Sequence, residues 1–334
     1  MQQPEVLVTG AGGFIGSHLV EALLRQGRSV RAMVRYNALG SQGWLDAIPA
    51  ELRSRLHVVA GDVCDGHFVQ EAMKGCEQVF HLAALISIPY SYVAPESYLN
   101  VNVRGTLNVL QAARTLGVAK VVHTSTSEVY GTAQFVPITE AHPLVGQSPY
   151  SASKIGADQM AVAFHRSFAT PVAIIRPFNT YGPRQSVRAV IPTIITQAMT
   201  GQGPIRLGKT STTRDFTFVE DTVAGFLAVA ASPATIGQVV NVGSNFEVAI
   251  ADVVSVVAEV LGRELAVDVA EERLRPADSE VDRLWADNRR ARELTGWQPR
   301  YAGIEGFKRG IRVTADWLAA GSGKNTATAG KYQI

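Results

Sequence analysis

A glycine-rich segment directly after the first apolar run restricts the fold of this chain more than any other feature. The apolar run covers residues 6–8, and three glycines follow it with a GxxGxxG spacing at the start of an amphipathic stretch. Glycine allows a tight turn and close approach of a ligand, and the N–H groups at a helix start attract an anion. Because the segment lies between a predicted strand and a predicted helix, it favours a dinucleotide site over a plain turn. The residues predicted to hold the cofactor phosphates are Gly10, Gly13, Phe14, Ile15 and Gly16.

Short apolar runs alternate with amphipathic stretches through the first half of the chain, which is typical of βαβ units. Long helices are predicted at about residues 96–116 and 150–168, with Gly117 and Thr170-Pro171 as their ends. The pattern predicts an α/β protein, a Rossmann-type doubly wound parallel sheet with helices on both faces. The apolar runs lie at residues 6–8, 30–34, 56–60, 78–82, 121–122 and 172–175.

Beyond Pro177 the alternation becomes irregular, and we expect a smaller, interleaved C-terminal substrate domain there. The dinucleotide-binding domain is predicted at residues 1–176, with a return segment near 215–245. The substrate-binding domain is predicted at residues 177–214 and 246–318. A tail at residues 319–334 is rich in Gly, Ala, Ser and Thr and is expected to be poorly ordered.

The composition excludes several classes of protein. The 334 residues carry 31 basic and 29 acidic side chains, and this near balance gives no footprint for nucleic acid or membrane. Cys64 and Cys76 have neither a CxxC nor a metal-ligand spacing, so we expect two thiols in a reducing compartment and no metal site. No apolar run is long enough to span a bilayer and no signal-like stretch is present, so we expect a cytoplasmic location.

Two polar motifs follow predicted strands in the middle of the chain. Residues 125–131 read STSEVYG, and Tyr150 and Lys154 open the next helix at positions i and i+4. The carboxyl ends of parallel strands are where open α/β sheets bind ligands. On one helix face, the ammonium group is expected to lower the tyrosine pKa and to hold a ribose hydroxyl, so that tyrosine acts as a base. A solvated surface pair is the alternative for an isolated YxxxK.

The turn after the fifth strand supplies the remaining groups of this predicted site. Ser125 and Thr126 are expected to hydrogen-bond the substrate hydroxyl that is oxidised, or else to cap the turn. Glu128 offers a carboxylate, with a solvated turn residue as its alternative. The predicted catalytic residues are Thr126, Ser127, Glu128, Tyr150 and Lys154.

The end of the second predicted strand bears on the choice of cofactor. Arg35-Tyr36-Asn37 stands where NAD sites carry a carboxylate, about 20 residues after the glycines. A guanidinium there can pair with a 2′-phosphate, so the sequence favours NADP over NAD. Further cofactor contacts are predicted at Asp62, Val63, Ala83 and Ala84, with ordinary turn chemistry as the alternative.

These residues resemble the extended short-chain dehydrogenase/reductase family from about Glu5 to Trp317, and within it the nucleotide-sugar 4,6-dehydratases. The TSE motif with Tyr150 and Lys154 is similar to that of GDP-mannose 4,6-dehydratases, while dTDP-glucose dehydratases carry Asp in place of Ser127. Nucleotide-sugar decarboxylases can also carry the Ser-Glu pair. Over the whole chain, the sequence is most similar to N-acetylglucosamine 4,6-dehydratases of legionaminic-acid synthesis, which act on GDP- or UDP-linked sugars.

The resemblance implies an internal redox cycle. Tyr150 takes the O4 proton while a hydride leaves C4, Glu128 removes the C5 proton, and water is lost from C6 before the hydride returns there. The acid for water loss stays open between Ser127, Glu128 and a bound water. The resemblance also implies a homodimer through the two long helices, with a tetramer as the alternative. Substrate contacts are implied at Ser87, Ser125, Thr126, Asn179, Arg188, Arg214 and Arg275.

Other functions use parts of the same machinery. A nucleotide-sugar 4-epimerase needs the glycine loop, Tyr150 and Lys154 but no base at C5. A decarboxylase and a noncatalytic nucleotide-binding scaffold are further alternatives. His81 and His123 lie in predicted strands, and we expect them to be packed and hydrogen-bonded without a catalytic role.

Overall fold

The computed structural model describes residues 5–201 and 203–321. Its strands are β1 (Val6–Thr9), β2 (Val30–Arg35), β3 (Leu56–Gly61), β4 (Gln78–His81), β5 (Lys120–Thr124), β6 (Val172–Pro177), β7 (Asn179–Tyr181), β8 (Ile205–Leu207), β9 (Thr213–Phe218), β10 (Val239–Val242), β11 (Glu247–Ala249) and β12 (Val267–Val269). The main sheet has seven strands in the order β10-β6-β5-β4-β1-β2-β3, and every neighbouring pair is parallel. The predicted Rossmann-type sheet is therefore confirmed.

Helices cover both faces of this sheet. In β1 the side chains of Val6 and Val8 join the core on the side of α1 and α8, whereas Leu7 packs on the side of α2, α5 and α6. This alternation follows from the two-residue period of a strand and explains why β1 is apolar on both faces. The helices are α1 (Phe14–Arg25), α2 (Gly66–Met73), α3 (Ile88–Val93), α4 (Pro95–Tyr98), α5 (Gly105–Leu116), α6 (Pro149–Phe168), α7 (Val190–Thr200), α8 (Val219–Ala231), α9 (Ile250–Leu261), α10 (Arg289–Thr295) and α11 (Gly303–Ala319).

The strand order reverses between β1 and β4. The chain leaves β1 towards β2 and β3 on one side and returns to β4 on the other. Thr9, at the end of β1, bridges this point, because its Oγ1 accepts hydrogen bonds of 3.1 Å from the backbone N–H groups of both Leu82 and Ala83. A crevice for a ligand is expected at the carboxyl ends of the strands here.

The second half of the chain builds two small sheets beside the main one. The three-stranded sheet has the order β11-β9-β7, and the two-stranded sheet pairs β12 with β8. The predicted return segment near 215–245 is divided between two sheets. Its β10 joins the main sheet beside β6, whereas the part of β9 that it contains belongs to the three-stranded sheet. The predicted domain boundaries stay a prediction, and residues 322–334 of the predicted tail lie outside the described residues.

The long helix predicted at residues 96–116 contains a π-helical turn. The structure has α4, then a π-helical turn at Leu99–Arg104, and then α5, which ends at Gly117 with a left-handed φ of 66°. Residues 95–116 are helical throughout, so the predicted helix is confirmed, with a π-helical turn inside it that was not predicted, and α6 agrees with its predicted bounds. The homodimer implied for these two helices stays a prediction. Across residues 5–201 and 203–321, no helix combines the length and the apolar character that a membrane span requires.

Candidate active site

The glycine loop fits a pyrophosphate at the start of α1. Gly10 has a φ of +68°, and a Cβ on it would lie 2.8 Å from the backbone nitrogen of Ala83. A Cβ on Gly16 would lie 2.3 Å from the Gly10 carbonyl oxygen, so only glycine lets α1 pack onto the loop. Gly13 is the N-cap, and no side chain caps this helix. The first-turn N–H groups of Phe14 and its neighbours therefore suit an anion.

The rim of the crevice at β2 and β3 carries the predicted adenosine contacts. Arg35 is exposed at the end of β2, while Val63 is buried and Ala83 and Ala84 are half-buried after their strands. The Asp62 carboxylate accepts a hydrogen bond of 2.9 Å from the N–H of Cys64, which is ordinary turn chemistry.

The turn after β5 presents the predicted base. Thr126 is the N-cap of a 3₁₀ turn at Ser127–Tyr130, and its Oγ1 accepts a 3.2 Å hydrogen bond from the N–H of Glu128. This cap fixes the turn as it leaves the sheet. Glu128 is 8% exposed and Ser127 is 2% exposed, so both lie inside the crevice and not on a solvated turn.

Helix α6 begins with a capping box between Ser148 and Ser151, which fixes the position of Tyr150 and Lys154. The Lys154 ammonium donates a 2.6 Å hydrogen bond to the carbonyl of Thr124 at the end of β5. Burial lowers the pKa of Lys154 to about 8, although Asp158 opposes the shift. The surface-pair alternative does not apply, because both side chains are buried.

The expected effect of Lys154 on Tyr150 is wrong for the protein alone. Burial raises the pKa of Tyr150, and the Glu128 charge raises it further, while a hydrogen bond with Thr126 opposes the shift. The Lys154 ammonium instead donates a hydrogen bond to the Thr124 carbonyl. Lowering the tyrosine pKa therefore requires positive charge from another source. The same interactions show that Thr126, Glu128 and Tyr150 lie together.

Below these groups lies a carboxylate that sequence reasoning missed. Asp158 is completely buried and accepts hydrogen bonds from Ser125 Oγ at 2.7 Å, His123 Nε2 at 3.2 Å and Arg176 Nε and Nη2 at 3.2 and 2.9 Å. The Ser125 hydroxyl, which was predicted to contact substrate, thus donates a hydrogen bond to Asp158. The spacing of Tyr150, Lys154 and Asp158 at four-residue intervals was a signal that could have identified it.

The two strand histidines are packed as expected. His81 is hydrogen-bonded to Thr9 Oγ1 at 2.9 Å, and the two imidazole rings stack with centroids 5.7 Å apart. Burial lowers the pKa of His81 well below its usual value and also lowers that of His123. Both rings are therefore neutral at neutral pH, which confirms the prediction of packed histidines.

Asn102 is a second residue that the sequence did not reveal. It lies in the π-helical turn, where it accepts from Leu85 N at 2.8 Å and donates to Leu85 O at 3.0 Å and Ser153 Oγ at 2.9 Å. It thereby ties the segment after β4 to α6. π turns are rare and are frequent at functional sites, but no sequence signal marks this one.

The substrate side of the crevice holds a cluster of cations. Arg214 is buried and Arg275 is half-buried, and each has a nitrogen 3.4 Å from the same Oε1 atom of Glu280. The charges of Glu128 and Asp282 also act on Arg214. Asn179 Oδ1 is buried and, within the described residues, has no hydrogen-bond partner. Guanidinium groups suit a diphosphate ligand, and an orphaned acceptor suits a bound hydroxyl or water.

The two other predicted substrate contacts lie near Tyr98. Ser87 caps α3 by accepting from Tyr90 N, and its carbonyl accepts from the Tyr98 hydroxyl. Arg188 is exposed in the loop before α7, and its charge lowers the pKa of Tyr98, which burial raises to about 12. The Tyr98 ring packs edge-on against Tyr150, with centroids 6.2 Å apart. Both residues therefore lie at the border of the site.

Comparison with known proteins gives a consistent family. A model of the GDP-mannose 4,6-dehydratase family matches residues 7–310. The chain is 36% identical over 310 residues to a UDP-glucose 4-epimerase of Mycolicibacterium smegmatis, an alignment that covers 91% of this chain and 96% of that protein.

Two solved structures show the same relationship. A mutant UDP-glucuronic acid 4-epimerase from Bacillus cereus, in complex with UDP-4-deoxy-4-fluoro-glucuronic acid and NAD, has a TM-score of 0.85 and 27% identity over 94% of this chain and 99% of its own. A double mutant of the dTDP-glucose 4,6-dehydratase DesIV from Streptomyces venezuelae, with NAD bound, has a TM-score of 0.84 and 29% identity over 97% and 98%. The similarity thus extends to dehydratases and epimerases alike.

Proposed function

The chain belongs to the GDP-mannose 4,6-dehydratase family of nucleotide-sugar enzymes, and within it we propose that the chain is a 4,6-dehydratase. The observation that carries this proposal is the position of Glu128, an almost buried carboxylate beside Tyr150. A 4-epimerase has no step that needs a second base at C5. The product would be a 4-keto-6-deoxy sugar, formed without net oxidation.

The substrate we propose is GDP- or UDP-linked N-acetylglucosamine. The nucleotide diphosphate would contact the guanidinium groups of Arg214 and Arg275, and a hydroxyl of the nucleotide sugar would donate to the orphaned Asn179 Oδ1. The choice of sugar rests on the resemblance of residues 84–92 and 176–185 to dehydratases of N-acetylglucosamine.

The cofactor we propose is NAD or NADP, held by the glycine loop. NAD in the similar solved structures supports the former, and the exposed Arg35 at the end of β2 supports the latter. When bound, the nicotinamide ring supplies the hydride acceptor at C4 and the hydride donor at C6, and in its oxidised form it carries a positive charge. Affinity for each dinucleotide, measured with the wild type and Arg35→Ala, decides between them, because a loss confined to NADP identifies a 2′-phosphate contact.

The side chains of the site divide the proton transfers between them. Tyr150 accepts the O4 proton, Thr126 hydrogen-bonds the same oxygen, and Lys154 holds a ribose hydroxyl from the floor of the crevice. Glu128 then removes the C5 proton, which the C4 ketone has made acidic. We assign the acid role to Glu128 as well, because its carboxyl group holds this proton when the C6 hydroxyl leaves as water.

Glu128 lies near a guanidinium as well as near the Tyr150 hydroxyl. Arg214 is close enough for Glu128 to stabilise its charge, so the attraction is mutual. Burial raises the pKa of Tyr150 and Glu128 raises it further, so Tyr150 holds its own proton in the protein alone. It accepts the O4 proton only as the phenolate, a form that nearby positive charge would favour. Oxidation at C4 is therefore expected to depend on the cofactor being bound first.

A deuterium experiment tests the proposal. The protein is incubated in D₂O with NAD and a panel of GDP-, UDP- and dTDP-sugars, and the products are followed by NMR. We expect a C6 methyl signal and deuterium at C5. The Glu128→Gln variant is expected to lose dehydration by about 10²–10⁴-fold. Glu259→Gln, on the exposed face of α9, is the matched control and should keep full activity. Dehydration by Glu128→Gln at the wild-type rate would refute the role of Glu128.

An epimerase is the second candidate, favoured by the 36% identity to UDP-glucose 4-epimerase. It would give a C4 epimer without deuterium at C5 and without a methyl signal. Release of carbon dioxide from a uronic acid substrate would identify a decarboxylase. Binding of dinucleotide and nucleotide sugar without turnover would identify a scaffold.

A further inference from the structure

We infer that Asp158 and Arg176 form a positioning pair, which locks the helix of Tyr150 and Lys154 to the turn of Glu128 and keeps Lys154 charged. This inference rests on the catalytic roles proposed above. Tyr150 and Lys154 belong to α6, whereas Glu128 belongs to the turn after β5, so no single element sets the distance between the acid–base groups.

The pair connects these two segments beneath the site. Asp158 lies one helical turn after Lys154 and receives two hydrogen bonds, of 2.9 and 3.2 Å, from the Arg176 guanidinium at the end of β6. The third nitrogen of that guanidinium, Nη1, donates to the Tyr130 hydroxyl at 2.9 Å. Tyr130 is the last residue of the turn that carries Glu128, and its ring also lies under the guanidinium carbon at 4.9 Å.

The connection continues into the edge of the sheet. The Tyr130 hydroxyl donates to Asn241 Oδ1 at 2.7 Å, and Asn241 Nδ2 donates to the Ile138 carbonyl at 3.0 Å. The Tyr130 hydroxyl is therefore both donor and acceptor, and the turn cannot rotate without breaking a buried hydrogen bond. Unpaired buried polar groups are costly, so the network allows one arrangement of Glu128.

The charges around Lys154 give Asp158 a second role. The groups that face Lys154 are Tyr150 and Asp158 on α6, His81 on β4, His123 on β5 and Arg176 on β6. Both histidines and Tyr150 are neutral at neutral pH because of burial. Arg176 is already paired with Asp158. Burial lowers the pKa of Lys154 to about 8, and Asp158 is the charged group that opposes this shift, beside the Thr124 carbonyl that accepts the Lys154 hydrogen bond.

The test replaces Asp158 by asparagine, which keeps the shape of the side chain and removes its charge. We expect the alkaline limb of the pH profile of kcat to move to lower pH by about one unit, because an attractive charge next to a buried amine is worth at least that. KM for the nucleotide sugar should change little. A purely structural residue would lower stability without moving the limb. A folded Asp158→Asn protein with the wild-type pH profile would overturn the inference.

Lys120 offers a matched control at the opposite end of β5. It is also buried, and its ammonium donates to Val229 O, Ser232 O and Thr235 Oγ1. Burial lowers its pKa to about 8, as for Lys154. Lys120→Met should reduce stability and leave the pH profile of kcat in place.

Unfolding by urea gives a readout that needs no substrate. Below its folded pKa, Lys154 is charged in both states, and above that pKa the unfolded state binds more protons, so stability rises with pH. A lower folded pKa starts this rise earlier. The factor by which the unfolding constant of Asp158→Asn exceeds that of the wild type should therefore be about fivefold smaller at pH 9 than at pH 7. A pH-independent difference would refute the charge role even if the protein proves to be an epimerase.

A milder variant covers the case in which Asp158→Asn does not fold. Tyr130→Phe removes only the hydroxyl that joins Arg176 to Asn241. We expect exchange of the C5 proton to slow by about tenfold while hydride transfer at C4 is kept, since roughly 1.4 kcal/mol of positioning is lost. An equal loss in both steps, or none, would overturn the positioning role.

Discussion

Each of the two walls of the active site buries an arginine, but the two guanidinium groups are paired to different extents. Arg176 lies in the floor, which we define as the ends of β4, β5 and β6 with α6, and all three of its guanidinium nitrogens are hydrogen-bonded. Arg214 lies in the roof, defined as β7, β9 and residues 271–280, and it shares Glu280 with Arg275 at 3.4 Å. The two side chains are almost equally buried, at 3% and 6% exposure.

The pKa values of the two arginines express this difference. Burial acts to lower the pKa of Arg176, but Tyr130 and Asp158 outweigh it and the pKa rises. Burial lowers the pKa of Arg214, and the carboxylates of Glu128 and Glu280 do not compensate. Breaking a fully paired buried cation is costly, whereas an undercompensated one can be stabilised by an anionic ligand. The floor is thus built for geometry and the roof for binding.

The largest expected effect is a loss of kcat when a side chain of the floor is changed. Tyr150→Phe removes the proton acceptor and is expected to lower kcat by about 10²–10⁴-fold with KM nearly unchanged. Steady-state kinetics on the nucleotide sugar would measure this. Tyr181→Phe, an equally buried tyrosine whose hydroxyl donates to Phe307 O at 3.3 Å, is the control and should retain activity. Substantial turnover by Tyr150→Phe would assign the base to another group.

Arg176→Met tests the floor as a structural unit. It leaves the Asp158 carboxylate buried without its main partner, and we expect a loss of about 3–5 kcal/mol in the free energy of unfolding. Urea denaturation followed by circular dichroism measures it. Arg283→Met breaks an exposed bidentate pair with Glu247 and should cost about 1 kcal/mol or less. If the two losses were equal, the floor would not be the paired network described here.

Arg214→Met applies the same substitution to the roof and should give the opposite result. The free energy of unfolding should change by about 1 kcal/mol or less, because Glu280 keeps Arg275. KM for the nucleotide sugar should rise by about 10–100-fold, the worth of a charge-assisted hydrogen bond to phosphate.

Arg206→Met is the control for Arg214→Met. Its exposed side chain pairs with Glu272 at 3.0 Å, outside the crevice, and KM should stay unchanged. An Arg214 variant that lost stability but kept its KM would make Arg214 a structural residue and remove the contrast with Arg176.

The sequence predicted the parts of the site that depend on local spacing. The glycine loop needs only three glycines between a strand and a helix, and Tyr150 and Lys154 need only one helical turn. The strands of the main sheet were visible as short apolar runs, such as β1, which is apolar on both faces. These features can be read from the sequence because residues close together along the chain determine them.

The features that were missed depend on distant partners. The Asp158–Arg176 pair joins α6 to β6, and the shared Glu280 joins β9 to residues 271–280, so neither follows from spacing. The π turn is explained by Asn102, which bonds the backbone of Leu85 across the crevice. The Tyr150 pKa was predicted in the wrong direction because a sequence does not show burial, and burial is its largest determinant.

The smallest expected effect concerns a contact that joins the roof to α3. Tyr92 on α3 and Ser279 in the roof share a hydrogen bond of 2.6 Å between their hydroxyls, and both side chains are partly exposed to water. Water replaces a lost partner here, so Tyr92→Phe should cost about 1 kcal/mol or less and should raise KM by less than about fivefold.

Gln147 explains why this loss is expected to be small. Its amide donates to the carbonyl oxygens of Asp278 and Glu280 at 3.1 and 3.2 Å, so a second pair of contacts still holds the roof segment when the tyrosine hydroxyl is absent. Gln147→Ala combined with Tyr92→Phe should therefore raise KM by more than the product of the single effects, with kcat preserved. If Tyr92→Phe alone lowered kcat strongly, the roof would take part in chemistry as well as binding, and the division between the two walls would be wrong.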